Sequence, residues 1–239
     1  MDLLKEEMKQ IIDIMKNKEA YAAKGIKAPK GIILEGEPGN GKTLFARALA
    51  GEASIKFIAA KGADFESAVV AVGPAKVRSL FRIARKNAPC IVFIDEFDGI
   101  GTKRNYSGNA IETENTRIVT AMLNELDGFK KNDGVLVIAA TNNSKVLDEA
   151  LIRPGRFDRK YLIPYPNKED RIKLIEFYSK GMKFDESVSF EKLASEFNGM
   201  SSSKIETIVN EAAIVAARTN DGVINSKCIN ESINLTKNK

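Results

Sequence analysis

Gly36-Glu37-Pro38-Gly39-Asn40-Gly41-Lys42-Thr43 places glycines, a lysine and a hydroxyl at the spacing of a phosphate-binding loop. The apolar run GIILE precedes it and the helical pattern TLFARALAG, with Leu44 in its first turn, follows it. This is the strand, loop and helix setting that such a loop requires. Glycines allow backbone N–H groups to converge on phosphate oxygens at the positive end of a helix. Lys42 is then placed to reach β and γ phosphates, and Thr43 to offer its hydroxyl to Mg2+.

A second segment, CIVFIDEFD, ends an apolar run at Asp95 and Glu96. Alone, an acidic pair at a strand tip is a solvated terminus; downstream of a phosphate loop it acquires two tasks. Asp95 suits a water-mediated contact to Mg2+, and Glu96 suits orienting and deprotonating the water that attacks the γ-phosphate. A third segment, AATNN, ends another strand and offers Asn142 as a neutral group able to hydrogen-bond the γ-phosphate or the attacking water. If that strand inserts between the first and third strands of a sheet, its tip lies between Lys42 and Glu96.

The elements that must hold these groups alternate along the first two thirds of the chain. GIILEG, KFIAA, CIVFIDEFD, GVLVIAATNN and KYLIPY read as strands, separated by the helical patterns TLFARALAGEA, AKVRSLFRIARKN and ETENTRIVTAMLNELDGF. Such alternation predicts a parallel sheet covered by helices on both faces. After PYPNKEDR the strands are expected to stop. Helices are expected over roughly 168–180, 189–196, 202–219 and 225–235, with Pro164 and Pro166 marking a boundary. The expected division is an α/β nucleotide-binding domain over 1–166 and a helical lid over 167–239.

Composition narrows the chemistry further. With 239 residues, 44% apolar and 29% charged, the chain has the make-up of a globular protein. It contains no histidine, which excludes His-based zinc sites and Ser-His or Cys-His nucleophile systems within it. Cys90 and Cys228 stand alone, without disulfide or metal spacing, so a reducing, cytoplasmic compartment is expected. The N-terminal MDLLKEEMKQIIDIMKNKEA reads as an amphipathic helix rather than a signal peptide, and no apolar run is long enough to cross a bilayer. The net charge of +5 is the mild excess of a solvated surface. One local cluster is stronger: LIRPGRFDRK gathers Arg153, Arg156, Arg159 and Lys160 around Pro154-Gly155 with Asp158 as the balancing charge. With no other partner nearby in the sequence, these arginines are expected to meet negative charge across an interface.

Taken together, KAPKGIILEGEPGNGKTLFARALAGEA, NAPCIVFIDEFD, ELDGF, VIAATNN, LDEALIRPGRFDRK and IVNEAAIVAAR resemble the ATPase module of the AAA family, in particular its FtsH branch of membrane-anchored, protease-linked ATPases. The resemblance runs nearly end to end. It implies a P-loop NTPase module with a five-stranded parallel sheet in the order 5-1-4-3-2, flanked by helices and followed by a small helical lid. It also implies ATP or ADP with Mg2+ as ligands, assembly into a homo-hexamer, and protein substrates. Arg153 and Arg156 would reach the γ-phosphate bound to the neighbouring subunit. Asp127, Gly128 and Phe129 would form the intersubunit signalling element. Val69, Val70 and Ala71 align with the pore loop, where the family places an aromatic residue, an aliphatic residue and glycine. Ser202, Ser203 and Lys204 stand where the family has Gly-Ala-Asp near the adenine. Glu37 and Asn40 replace the family's proline and threonine but leave the Gly, Lys and Thr positions intact.

The family also carries an adenine-packing segment upstream of the first helix, and this chain is expected to begin too late to include it. Neither membrane helices nor the zinc protease of the FtsH branch is expected in this chain, although a longer protein could sit at the cytoplasmic face of a membrane. The leading expectation is a ring that uses hydrolysis to move protein through a central pore. A chaperone or assembly factor that remodels partners without threading them is the alternative. A nucleic-acid motor is the least expected class, its local support being GTKRNYSGN with Lys103, Arg104 and Tyr106, a loop read instead as bordering the pore.

Overall fold

The computed structural model describes residues 2–26, 28–67, 71–103, 110–128, 134–219 and 222–237. Five parallel strands, β1 (Gly31–Glu35), β2 (Lys56–Lys61), β3 (Cys90–Asp95), β4 (Val135–Thr141) and β5 (Phe157–Leu162), form one sheet in the order β2-β3-β4-β1-β5. Read from the other edge this is the expected order 5-1-4-3-2. The sequence explains which strands are central: GIILE, CIVFID and VLVIAAT are almost wholly buried, whereas KFIAAK and FDRKYL carry charge and occupy the edges.

Alternate residues of the central strands feed two apolar layers. Ile33, Val92, Ile94, Val137 and Ala139 pack with Val77, Phe81 and Ala84 of α4 (Val72–Lys86) and Ile118, Val119, Met122 and Leu126 of α5 (Ala110–Gly128). Ile32, Leu34, Ile91, Phe93, Leu136 and Ile138 pack on the opposite face with Ala46, Leu49 and Ala50 of α3 (Lys42–Glu52). The same layer takes Met8, Ile11, Ile12 and Met15, one helical stripe of α1 (Asp2–Lys16). The N-terminal helix is interrupted at Asn17, where the short α2 (Lys18–Ala23) begins, and the Asn17 amide donates to Asp13 at 2.7 Å. The fifth strand begins at Phe157 rather than at Lys160, because Phe157 is buried in the first layer and pairs with Gly31.

The chain divides into two compact units, Met1–Gly36 with Lys42–Ile163, and Glu37–Gly41 with Pro164–Lys239. The second contains α6 (Lys168–Tyr178), α7 (Phe190–Glu196), α8 (Ser202–Thr219) and α9 (Ser226–Lys237) around a core of Ile175, Leu193, Phe197, Ile205, Ile208 and Ile229. Asn167, Ser189 and Ser201 side chains accept backbone N–H groups at the starts of α6, α7 and α8. The expectation that strands end with the first unit needs correction. Lys183–Phe184 (β6) and Val223–Ile224 (β7) form a small parallel sheet, anchored by buried Ile224 and by Phe184 edge-on to Phe190. Two residues per strand carry no periodicity that a sequence could display. No helix among the described residues is long and apolar enough to cross a membrane.

Candidate active site

In the first unit, the tips of β1, β3 and β4 converge on the start of α3. Gly36 continues β1, donating its N–H to the Thr141 carbonyl at 3.2 Å. A Cβ at this position would lie 2.4 Å from the Ile163 carbonyl oxygen, so only glycine fits. Lys42 is buried, and its ammonium donates to the Gly36 carbonyl at 2.6 Å and to Asn142 Oδ1 at 2.9 Å. Thr43 donates its hydroxyl to Asp95 Oδ2 at 2.7 Å, while Asp95 Oδ1 accepts the Glu96 backbone N–H at 3.0 Å. Both oxygens of Asp95 are thereby oriented.

Glu96 is exposed and adopts a left-handed conformation, with φ at 51°, as it turns the chain into the short helix Phe97–Gly99. A non-glycine residue held there is strained, which surrounding structure tolerates mostly at functional positions. Lys42, Thr43, Asp95, Glu96 and Asn142 are thus gathered by strand tips and one helix start. Leu44 follows them on α3 with its side chain exposed.

Glu37, Pro38, Gly39, Asn40 and Gly41 belong to the second unit. Gly39 and Gly41 take φ values of 78° and 82°, conformations that favour glycine. The Gly39 carbonyl accepts the Ser203 N–H at 3.1 Å, and a Cβ on Gly39 would meet Ser203 Oγ at 1.9 Å. The N-cap of α8 is Ser201, whose Oγ accepts the Lys204 N–H at 3.3 Å; Ser202 and Ser203 form the first turn. Asn40 is buried, and both polar atoms of its carboxamide lack a partner among the described residues. A buried, unsatisfied amide in a phosphate-type loop fits a polar ligand.

The donor set also fits Mg2+, which takes one or two protein oxygens and completes its shell with phosphates and water. Thr43 and Asp95 supply the hydroxyl and carboxylate. No group of three or more His, Cys, Asp or Glu side chains that could hold a metal unaided occurs among the described residues.

The arginine segment departs from expectation. Arg156 has a partner on its own chain: Nε and one terminal nitrogen donate to the two oxygens of Asp127 at 2.7 and 2.6 Å, and Nη1 donates to the Ala150 carbonyl at 2.6 Å. The guanidinium holds the Asp127 carboxyl below its ordinary range, and the carboxylate raises Arg156 in turn. Asp127 and Gly128 are the last residues of α5, so the segment read as signalling and the segment read as a trans-acting arginine meet within one chain. Arg153 is exposed. Phe129, Val69, Val70, Arg104 and Tyr106 lie outside the described residues.

Ala71, the described end of the expected pore loop, takes a left-handed φ of 68° as the N-cap of α4. Its N–H donates to the buried Glu114 carboxylate at 3.1 and 3.3 Å, across to α5. Sequence reasoning missed Glu114, the Asp127–Arg156 pair and a cluster formed by Glu35, Ser144 and Lys160. Glu35 alone left a trace, a charge ending the apolar run GIIL.

Comparison with known proteins bears on this geometry. The pattern of the family described as "ATPase family associated with various cellular activities (AAA)" matches residues 32–165. An ATP-dependent zinc metalloprotease FtsH of Aster yellows witches'-broom phytoplasma (strain AYWB) is 47% identical over 230 residues, covering 96% of this chain and 34% of that protein. The protein of the same name from Acholeplasma laidlawii (strain PG-8A) is 41% identical over 228 residues, 95% of this chain and 36% of its own length. The ATP-dependent zinc metalloprotease FtsH 2 of Thermoanaerobacter sp. (strain X514) is 44% identical over 233 residues, 98% of this chain and 45% of its own. The chain therefore spans less than half the length of these curated relatives.

Proposed function

Because the chain belongs to the AAA family of ATPases, we propose that it hydrolyses ATP within a homo-hexameric ring and uses the energy to unfold or translocate protein. The observation that carries the reading is the junction of Lys42 with Asn142 and of Thr43 with Asp95, which links the phosphate-loop helix to two strand tips. In this reading Lys42 and Asn142 bind the γ-phosphate. Glu96 takes the proton of the attacking water as the bond to the leaving β-phosphate oxygen breaks. Thr43 directly and Asp95 through water would hold Mg2+, whose chemistry there would be to neutralise charge on the phosphate oxygens. The remaining loop residues, with Ser202 and Ser203, contribute to nucleotide binding, and the segments 1–166 and 167–239 act as nucleotide-binding domain and lid.

Arg153 and Arg156 serve the phosphate of the neighbouring subunit. For Arg156 this requires leaving Asp127, so Asp127, Gly128 and Phe129 become the element through which nucleotide state is passed on. Relatives are named as ATP-dependent zinc metalloproteases. A chain without histidine cannot build a His-based zinc site, so any such chemistry belongs to a protease outside it, at the cytoplasmic face of a membrane. The valines at 69 and 70 favour a second reading, a chaperone that remodels partners without threading, because they offer a passing side chain less rigid area than an aromatic ring.

ATP turnover across protein concentration, with unfolded protein or single-stranded nucleic acid at low and high salt, tests the proposal. Turnover should rise with concentration and be stimulated by unfolded protein. Concentration-independent hydrolysis would exclude the ring, and stimulation by nucleic acid that fades with salt would replace protein with nucleic acid as substrate.

A further inference from the structure

Glu35 ends β1, whose other residues, Gly31 to Leu34, are buried. At the tip of this central strand it is flanked by Thr141 of β4 and Leu162 of β5. Its largely buried carboxylate accepts the Ser144 backbone N–H at 3.1 Å and the Ser144 hydroxyl at 3.0 Å, and it forms an ion pair with the Lys160 ammonium. Lys160 also donates to Ser144 Oγ at 2.6 Å, closing a three-residue cluster. Burial alone would raise the Glu35 carboxyl, but Lys160 and the two bonds from Ser144 outweigh it and hold the group below its ordinary value. The ionised carboxylate is therefore the form the fold selects.

The cluster fastens the loop that carries Asn142. On one side of Asn142, the Thr141 hydroxyl donates to Asp98 at 3.0 Å and accepts the Asn143 N–H at 3.1 Å. On the other, the Ser144 amide is fixed to Glu35. Glu35 is also bonded directly to Gly36, whose carbonyl accepts the Lys42 ammonium that Asn142 accepts as well. Glu35 is thus linked to two acceptors of the same ammonium, to Gly36 by the peptide bond and to Asn142 through Ser144. Glu35 and Ser144 are largely buried while Lys160 is half exposed, and charge-assisted bonds to a carboxylate so enclosed are strong enough to set a loop position.

We propose that Glu35 is a positioning residue of the ATPase site: with Ser144 and Lys160 it fixes Asn142 against Lys42, and so holds the polar groups that meet the γ-phosphate. This rests on the reading of Lys42 and Asn142 given above. A purely stabilising role would lower the thermal midpoint and leave turnover by the folded protein intact. A positioning role acts on kcat, and it acts through Asn142.

The test is a double-mutant cycle on steady-state ATP hydrolysis, using the full chain and its Glu35→Val, Asn142→Ala and double variants, with nucleotide affinity and thermal midpoint measured on each. Glu35→Val is expected to lower kcat about tenfold while changing affinity less than about threefold, because a displacement of order 1 Å is costly to chemistry. In the Asn142→Ala background the same substitution should cost less than about twofold, since the group it positions is gone. Glu35→Gln keeps the volume and one acceptor for Ser144 but loses the ion pair. It should show a smaller loss, about threefold, of the same non-additive kind, and it carries the test if Glu35→Val fails to fold. Parental kcat in the Glu35 variants, or an equal loss in both backgrounds, overturns the proposal while leaving Asn142 in its role. Parental kcat in Asn142→Ala overturns the reading of Asn142 itself, and the proposal with it.

Discussion

Lys42 and Arg156 are both cations of the first unit held by more than one acceptor, and the hydrogen bonds seen at each differ in kind. Lys42 donates to a carbonyl and a carboxamide, Gly36 and Asn142, whereas Arg156 is gripped by both oxygens of a carboxylate, Asp127, and by the Ala150 carbonyl. The Gly36 carbonyl and the Asn142 carboxamide help to position the lysine at the phosphate loop. A bidentate carboxylate gives the arginine a resting place on its own chain, which, under the proposed function, a phosphate on another subunit would have to outcompete. In the proposed reading the chain therefore pairs a group placed in advance with one that would have to be released.

The largest expected effects break the lysine side of this contrast. Lys42→Ala should weaken ATP binding at least about a hundredfold, because the loop loses its cation for the β and γ phosphates. Glu96→Gln should keep binding and lose about a thousandfold in turnover. Binding assays on both variants, with hydrolysis measured in parallel, separate affinity from chemistry, and parental turnover in Glu96→Gln would remove Glu96 from the base role.

The arginine side is sharpened by mixing chains. Arg156→Ala should cost about a thousandfold in turnover. Combined with Lys42→Ala chains, it should recover some activity wherever an intact phosphate loop meets an intact arginine. Mixed rings without recovery would confine Arg156 to its bond with Asp127.

A smaller effect concerns substrate grip. Val69→Phe with Ala71→Gly should raise hydrolysis stimulated by unfolded protein about threefold, by adding rigid contact area and removing the left-handed strain at residue 71. Assembled rings that gain nothing with any protein substrate would move the non-threading chaperone ahead.

The smallest is a pH effect on stability. Glu35 is held below its ordinary 4.5, so the unfolded chain takes up its proton first as pH falls. The stability it contributes is complete above that value and is lost as pH drops from 4.5 through the depressed folded value. Thermal midpoints from pH 6 to pH 3 should fall less steeply for Glu35→Gln than for the parent chain. Parallel slopes would show that the carboxylate contributes nothing through its charge.

What the sequence made legible is local. The phosphate loop, Asp95, Glu96 and the central strands are contiguous patterns whose physics is set by neighbouring residues. The missed contacts join distant segments: Asp127 and Arg156 are 29 residues apart, Ala71 and Glu114 are 43 apart, and Glu35 and Ser144 are 109 apart. No spacing rule spans such distances. They follow from the sheet order, which brings the tips of β1, β4 and β5 together, and from the packing of α4 on α5. Arg156 shows no carboxylate partner nearby in the sequence for this reason, since Asp127 sits at the end of a helix 29 residues away.

The helix α5 holds one clasp near each end: Glu114 takes the Ala71 N–H, and Asp127 takes the Arg156 guanidinium. At a rise of about 1.5 Å per residue the two clasps lie roughly 20 Å apart along a single rod. A helix with most of one face in the core compresses and bends little over that length. A displacement of the backbone at Ala71 that carried Glu114 with it would therefore also reach the carboxylate that grips Arg156.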